Sequence, residues 1–572
     1  MKNLGAFLAL LEKEREIVTI DTPVDPYLEI AEIHRRVIEE GGPALLFKNV
    51  KGSSFPVVTN LFGTKRRVSL AFGPTPEKTL KNLLDLATKE FPPSPSRLWS
   101  ARHSLKSLLK LGTRKWGQSP VQSSEISSLE ELPMITSWPE DGGPFLTLPL
   151  VYTESPSGKP PNLGMYRIQR HDHKTTGLHF QIGKGGGYHL FEAEQRNQSL
   201  PVSIFLGGPP ALILSAIAPL PENVPELLFA SFVAGNKIKT KRDKSGHLVI
   251  AEAEFALLGK TIPHERRDEG PFGDHYGYYS LKHPFPVFHC EKIYHRKGAI
   301  YPATVVGKPR QEDFFIGEYL QELLSPLFPI VMPGVKELWS YGETGFHALA
   351  SAVVHERYER ESLAHAFRIL GEGQLALTKF LLLTDQNVPI RDFKKVLTTV
   401  LERFNPETDL YIFPNLSLDT LDYTGPRLNR GSRGVLIGTG EKKRDLPTQL
   451  DVSLPYASVV FCPGCLVIET KEKELTPLYN LKNWPLIVVV DSLKETMESE
   501  TTFLWSVFTR FDPASDIKAA TTGVEYHHPL YTCPIIIDAR MKGYPAVLEP
   551  TPETTALVSS RWSEYGIKTK TF

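Results

Sequence analysis

The stretch "NLGMYRIQRHDHKTTGLHFQIGKGGGYH", residues 162–189, decides how the middle of this chain is read. Two runs in it, "LGMYRIQRH" and "GLHFQIG", carry aromatic and branched residues between turn-forming glycine and asparagine, so both read as short strands. Five more runs of the same texture surround them: "LTLPLVYT", "PVSIFLGG", "HLVIAEAEF", "FPVFHCEKIYH" and "AIYPATVVG". Many short strands with turn signals predict a sheet that curls into a split β-barrel over residues 116–328. Two short helices are expected inside it, near 209–217 and 223–231, and a longer one over 311–326.

Outward from this centre the texture changes. Residues 1 to about 90 alternate helical and strand patterns ("YLEIAEIHRRVIEE", "PALLFKNV", "FPVVTNLF", "EKTLKNLLDLATKEF"), and with the Pro/Ser-rich break "PPSPSR" and a basic helical stretch after it they predict a small α/β domain over 1–115. Residues 329–440 and 441–572 predict a C-terminal α/β domain and a related α/β extension. The reason is a repeat. "KFLLLTDQNVPIRDFKKVLTTVLERFNPETDL" (379–410) and "WPLIVVVDSLKETMESETTFLWSVFTRFDPASDI" (484–517) each hold an apolar strand ending in Asp, a helix, and an Arg-Phe-(Asn/Asp)-Pro-x-x-Asp close. Apolar strands with crossover helices predict parallel packing, and the repeat's acids are expected to be structural.

The whole is α+β and α/β, multidomain, as 572 residues require. With 65 basic and 65 acidic residues there is no general basic field, so nucleic acid is not expected as a partner. No run of 18 apolar residues occurs, so no transmembrane span is expected. Nor does "MKNLGAFLALLEKEREI" read as a secretory signal, and a cytoplasmic location follows as the expectation. Four cysteines do not make a disulfide framework; Cys462 and Cys465 in "CPGC" read as a turn between strands.

Three clusters carry chemistry. In the first, Asn162 offers a hard oxygen, Arg167 follows five residues on, and the "GKGGG" loop after His179 and Gln181 lets backbone N–H groups and Lys184 approach an anion. The second is Glu226, at the start of an apolar helix. The third is "EGPFGDHYGYY", 269–279, which holds Glu269 and Asp274 among Phe272, Tyr276, Tyr278 and Tyr279.

Together these clusters resemble the UbiD family of decarboxylases. Asn-x-x-(Met/Ile)-Tyr-Arg is met by Asn162, Met165, Tyr166 and Arg167. Glu-Gly-Pro-(Phe/Tyr)-Gly-(Asp/Glu) is met by Glu269 to Asp274, and the family's later acid by Glu226. "PVSIFLGGPPALILSAIAPLPE" and "NLFGTKRRVSLAFG" are similar to family segments too, and the resemblance runs to about residue 440.

The resemblance implies prenylated FMN as cofactor, lined by Asn162, Met165, Tyr166, Arg167, His179, Phe180, Gln181, Lys184 and Gly185. It implies Mn²⁺ or Mg²⁺ on Asn162 and Glu226, with K⁺ nearby, and a catalytic set of Arg167, Glu269 and Asp274. Asp274 would be the proton donor, its pKa expected to be raised by burial and by Glu269. Where many members have a third, histidine ligand this chain has Gly185; phosphate oxygens or water are expected there ahead of His189. The implied activity is reversible decarboxylation of an aromatic acid. The long layout points to a dihydroxynaphthoate of menaquinone biosynthesis, and the alternative within the family is a prenylated 4-hydroxybenzoate of ubiquinone biosynthesis. A flavin prenyltransferase would supply the cofactor, and a homodimer or homohexamer is expected. The rival readings are a plain-FMN split-barrel oxidoreductase and a non-catalytic flavin carrier.

Overall fold

Two long antiparallel strands, Phe255–Glu269 and His283–His295, form the spine of the first half of the chain. The computed structural model describes residues 1–88, 94, 96, 99, 101–180, 185–220, 224–543 and 545–567. The spine's register slips at Leu258/Gly259 and again between Thr261 and Arg266, where Pro263 cannot donate to the ladder and His264 takes a positive φ of 62°. These bulges re-aim the strand, so that Glu269 ends it opposite His283 and the loop 270–282 closes the pair.

Around the spine the order is Thr175–Gly177, His283–His295, Phe255–Glu269, Leu200–Leu206, Leu150–Thr153, Asn162–Gly164, with Ser124–Ile126 also paired to His283–His295. All these neighbours are antiparallel. The sheet is open among the described residues, as a split barrel requires. Its short helices run Ala211–Ile217 and Glu226–Ala234, and the longer one Glu312–Leu324.

The N-terminal layer is a four-stranded sheet, Ile17–Ile20, Ala44–Phe47, Val57–Thr59 and Tyr301–Pro302. Its last strand comes from beyond the spine and ties the layer to the central sheet. Helix Glu29–Glu39 buries Ile30, Ile33 and Val37 against it, at the spacing the sequence shows. One core joins these residues to Val202, Ile204, Phe255 and Phe288 of the central sheet.

Residues 1–323 and 545–572 form one compact unit, and 324–544 a second. The stretch 441–572 therefore divides. Its first part stays in the second unit, while 545–567 returns to the first, where Leu548, Val558 and Tyr565 are buried in the core. The physical reason is apolar burial combined with pairing. Helix Pro552–Arg561, capped by Thr551, lies on helix Glu29–Glu39, where Arg561 and the Tyr565 hydroxyl meet the buried Glu29 carboxylate.

Inside the second unit the repeat is literal. One five-stranded sheet runs Val335–Ser340, Leu349–Val354, Phe380–Thr384, Gly431–Ile437, Leu410–Leu416. The other runs Ala457–Cys462, Cys465–Glu469, Leu486–Val490, Ile535–Asp538, Ile517–Lys518. Both show the same sequence of antiparallel, parallel, parallel and antiparallel neighbours. The repeat's acids hold backbone: Asp409 accepts from Asn405 N and Asp516 from Asp512 N, at 2.7 and 2.8 Å. Pro463 and Gly464 make the two-residue turn between Cys462 and Cys465, and all four cysteines are free thiols. Among the described residues no helix is long and apolar enough to cross a membrane.

Candidate active site

Arg167 stands just before strand Ile168–Gln169, and its guanidinium forks onto Glu269, the last residue of the spine strand, and Asp274 in the loop that follows. Nε and Nη2 donate to the two oxygens of Glu269 at 2.8 and 3.0 Å, and Nη1 donates to Asp274 Oδ2 at 2.6 Å. Nη2 also donates to Ser280 Oγ at 2.9 Å, and the cation lies 4.9 Å from the centre of the Phe272 ring. The side chains of Arg167, Glu269 and Asp274 are only 8%, 0% and 12% exposed. A buried acid pair needs such a bidentate partner, because an isolated buried charge is costly. The aromatic residues of the loop, Phe272, Tyr276, Tyr278 and Tyr279, are all buried.

The loop's backbone is pinned from several sides. Gly273 N donates to Asp141 Oδ1 at 2.8 Å, and Asp141 Oδ2 accepts from Ser137 N and Trp138 N. Gly270 N donates to Gln169 Oε1. Gly273 lies so close to the Trp138 indole that a Cβ there would come within 2.1 Å of it. From the far end of the chain, Tyr279 N donates to Ala546 O at 3.1 Å and Leu548 N to Gly277 O at 3.0 Å, with Tyr278 and Val547 bridged between them.

The electrostatics correct one expectation. The sequence predicts a raised pKa for Asp274; the structure holds it below its ordinary value. Burial pushes it up, but the His275 hydrogen bond and charge, together with Arg167, outweigh burial. Glu269 behaves alike: burial raises it, and Arg167 and His179 hold it at about 2. The like-charge effect loses because each acid has close partners of its own, His275 and then Arg167 for Asp274, Arg167 and then His179 for Glu269. His179, lowered by burial and then by Arg167, is the neutral donor whose Nδ1 meets Glu269 Oε2 at 3.0 Å. Asp141, which pins the loop, is raised by burial to about 7 despite its backbone bonds and Arg167.

The second half of the site lies along the same extended segment. Asn162 starts strand Asn162–Gly164, five residues and no more than about 17 Å of chain from Arg167. The next residue's amide, Leu163 N, donates to Glu226 Oε2 at 2.9 Å, which brings Glu226 beside Asn162. Gly185, opening helix Gly185–Gln195, sits against Asn162; a Cβ there would come within 2.2 Å of Asn162 Oδ1. Tyr166 is buried, its pKa pushed up to about 12, and its hydroxyl accepts from Gly186 N. Phe180 meets the Tyr166 ring edge-on at 5.0 Å, while the adjacent His179 reaches Glu269, so consecutive residues join the two halves. Met165 is partly buried. His189 Nδ1 is engaged by Thr153 Oγ1 at 2.8 Å. Gln181 and Lys184 lie outside the described residues, as do 221–223.

The donor set fits a divalent cation. Asn162 and Glu226 supply hard oxygens, and among the described residues Glu226, whose pKa burial raises, has no ion-pair partner. Among the described residues no cluster of three or more His, Cys, Asp or Glu side chains could hold a metal.

Family models cover this architecture. The Rift-related domain of 3-octaprenyl-4-hydroxybenzoate carboxy-lyase matches residues 113–309, its N-terminal domain 8–87, and its C-terminal domain 314–438. The chain belongs to the UbiD family. Among UbiD relatives, a Chlamydia pneumoniae protein named as a component of 4-hydroxybenzoate decarboxylase is 55% identical, with 100% of both chains covered. An Archaeoglobus fulgidus protein is 37% identical over 74% of this chain and 88% of its own. Among solved structures, the Sedimentibacter hydroxybenzoicus vanillic acid decarboxylase in closed form superimposes with a TM-score of 0.69 at 24% identity, covering 79% of this chain and 95% of that one. The UbiD-class enzyme HmfF of Pelotomaculum thermopropionicum, in complex with FMN, gives 0.64 at 22%, covering 79% and 97%. The protein is thus a UbiD-type carboxy-lyase in fold and family.

Sequence reading missed His275, Ser280, Asp141, Gln169 and the tail at 546–548. Asp141 stands 132 residues from its partner Gly273, a separation no local pattern signals. His275 was visible beside Asp274, but only the folded loop turns its ring back onto that acid.

Proposed function

We propose that this protein catalyses reversible, non-oxidative decarboxylation of an aromatic carboxylic acid with prenylated FMN. The observation that carries the reading is the Arg167 fork on Glu269 and Asp274, buried beneath aromatic rings. Loss of CO₂ leaves carbanion character on the ring that must be quenched by a proton, and Asp274, fixed in this buried network beside an imidazole, is the group placed to carry it. A hydride-transfer site has no need of this set, which weighs against the plain-FMN oxidoreductase.

Asn162 and Glu226 would hold Mn²⁺ or Mg²⁺ with the cofactor's phosphate. Met165, Tyr166, His179, Phe180 and Gly185 would line the flavin, together with Gln181 and Lys184. Prenylated FMN, when bound, supplies the electron sink for the departing carboxylate. The protein's own groups do the rest. Arg167 orients both acids, Glu269 with neutral His179 holds Arg167 in place, Asp274 carries the proton, and the aromatic loop excludes water.

For the substrate we propose a hydroxylated aromatic acid. A dihydroxynaphthoate agrees with the long layout, and the name of the Chlamydia pneumoniae relative favours the 4-hydroxybenzoate class. Protein made together with a flavin prenyltransferase, offered each acid in turn, should release CO₂ from one of them. No release from any aromatic acid by flavin-loaded protein would overturn the reading.

A further inference from the structure

Both oxygens of Asp274 are engaged. Oδ2 takes Arg167 Nη1, while Oδ1 takes the backbone N–H of His275 and lies 2.7 Å from His275 Nδ1. A guanidinium and a peptide N–H can only donate. Of these three contacts, the imidazole nitrogen is the one able to accept a proton from Asp274 or return one to it. His275 is also the more exposed of the two, its side chain 24% accessible against 12% for Asp274. Among the described residues, the charged groups shown to face the ring are Asp274 on its own loop and Asp313 on helix Glu312–Leu324, with Arg167 and Glu269 beyond Asp274. Asp313 Oδ1 is buried without a hydrogen-bond partner.

From this geometry we infer that His275 is the positioning residue that recharges Asp274, passing it a proton across the Nδ1–Oδ1 hydrogen bond in each turnover. The inference rests on the proposed role of Asp274. The proton count closes. The pair begins as imidazolium and carboxylate, and the Nδ1 proton moves to Oδ1, leaving a neutral imidazole protonated on Nε2. Asp274 then gives that proton to the carbon that lost CO₂, and the partly exposed imidazole regains one from water. Asp313 favours the imidazolium at the start of the cycle, and Arg167 favours the Asp274 carboxylate at its end.

The first test needs no cofactor. Nitrogen NMR of the imidazoles, with His275 assigned by its loss in His275→Asn, should show a titrating ring whose midpoint falls by about one pH unit or more in Asp274→Asn, because a carboxylate beside an imidazole favours the charged form. An unchanged midpoint would overturn the inference. In flavin-loaded protein, His275→Asn keeps an N–H at the place of Nδ1 but cannot release its proton. It should lower kcat by about 100-fold with KM unchanged, and free imidazole should restore part of the rate. His275→Gln serves as the second variant should Asn impair folding. A raised KM at wild-type kcat, or wild-type kinetics throughout, refutes the relay. Absence of CO₂ release by the wild-type protein would instead refute the proposed function, while the NMR titration still decides whether His275 and Asp274 share the proton.

Discussion

At the scale of single residues, the site is three charges and a neutral histidine locked by hydrogen bonds. Asp274→Asn preserves shape and the Arg167 contact but carries no transferable proton. It should keep the flavin and lose CO₂ release by about 100-fold or more, read as single-turnover CO₂ release. Glu226→Ala removes the charged half of the proposed metal pair. A native mass spectrum of that variant should show metal and flavin lost together, and retention of both would refute the ligand role. Glu269 offers a pH prediction. Its folded pKa, about 2, lies below the ordinary 4.5, so its contribution is fully present above about pH 4.5 and is lost as pH falls toward 2. Acid denaturation should therefore show a loss of about 3 kcal/mol across that window, absent in an Arg167→Met, Glu269→Met double variant.

Among elements, the loop 270–282 matters most, because it is held by pieces remote in sequence: Asp141, Gln169 and the segment 546–548. The tail's two backbone bonds lie three to five residues beyond Asp274, and the Asp274 N–H itself bonds to Tyr278 O inside the same turn. Loosening the tail should therefore displace the acid rather than unfold the sheet. Leu548→Asp places a charge in the core beside the loop. It should lower kcat by about 100-fold, as a displacement of about 1 Å can, and raise protease sensitivity at residues 274–280. Normal kcat in a folded Leu548→Asp protein would show that the tail does not position the loop.

Across the whole molecule, two units with different logic share one chain. The first unit holds the site; the second is built from two copies of one topology. Within the second unit the copies meet where Asp512 Oδ1 accepts from Ser432 N at 2.8 Å and Ser432 Oγ accepts from Ala514 N at 2.7 Å. Asp512→Ala leaves a buried amide without its acceptor and should destabilise that unit by about 1–3 kcal/mol in chemical denaturation. The site's CO₂-release rate per folded molecule should stay unchanged.

Much of this protein was determined by sequence alone. Hydrophobic periodicity and turn residues are local signals, so strands Leu150–Thr153, Leu200–Leu206 and His283–His295, helix Glu312–Leu324 and the Cys462–Cys465 turn were legible, whereas the polar spine strand Phe255–Glu269 was not, and the runs at 247–255 and 299–307 pair into other sheets. So was the duplicated topology, because both copies keep the same strand, helix and closing acid. The pairing of Arg167 with Glu269 and Asp274 was legible through the family motifs, not through chemistry. What only the tertiary structure decided was electrostatic and long-range. Whether an acid's pKa rises or falls depends on how burial weighs against nearby hydrogen-bond donors and cations, and the His275 contact, with Arg167 behind it, reverses the sign that composition predicts for Asp274. That residues 546–548 return to the loop 270–282 depends on burying Leu548, Val558 and Tyr565 in the first unit's core, a preference shared among residues hundreds of positions apart and carried by no short stretch of the chain.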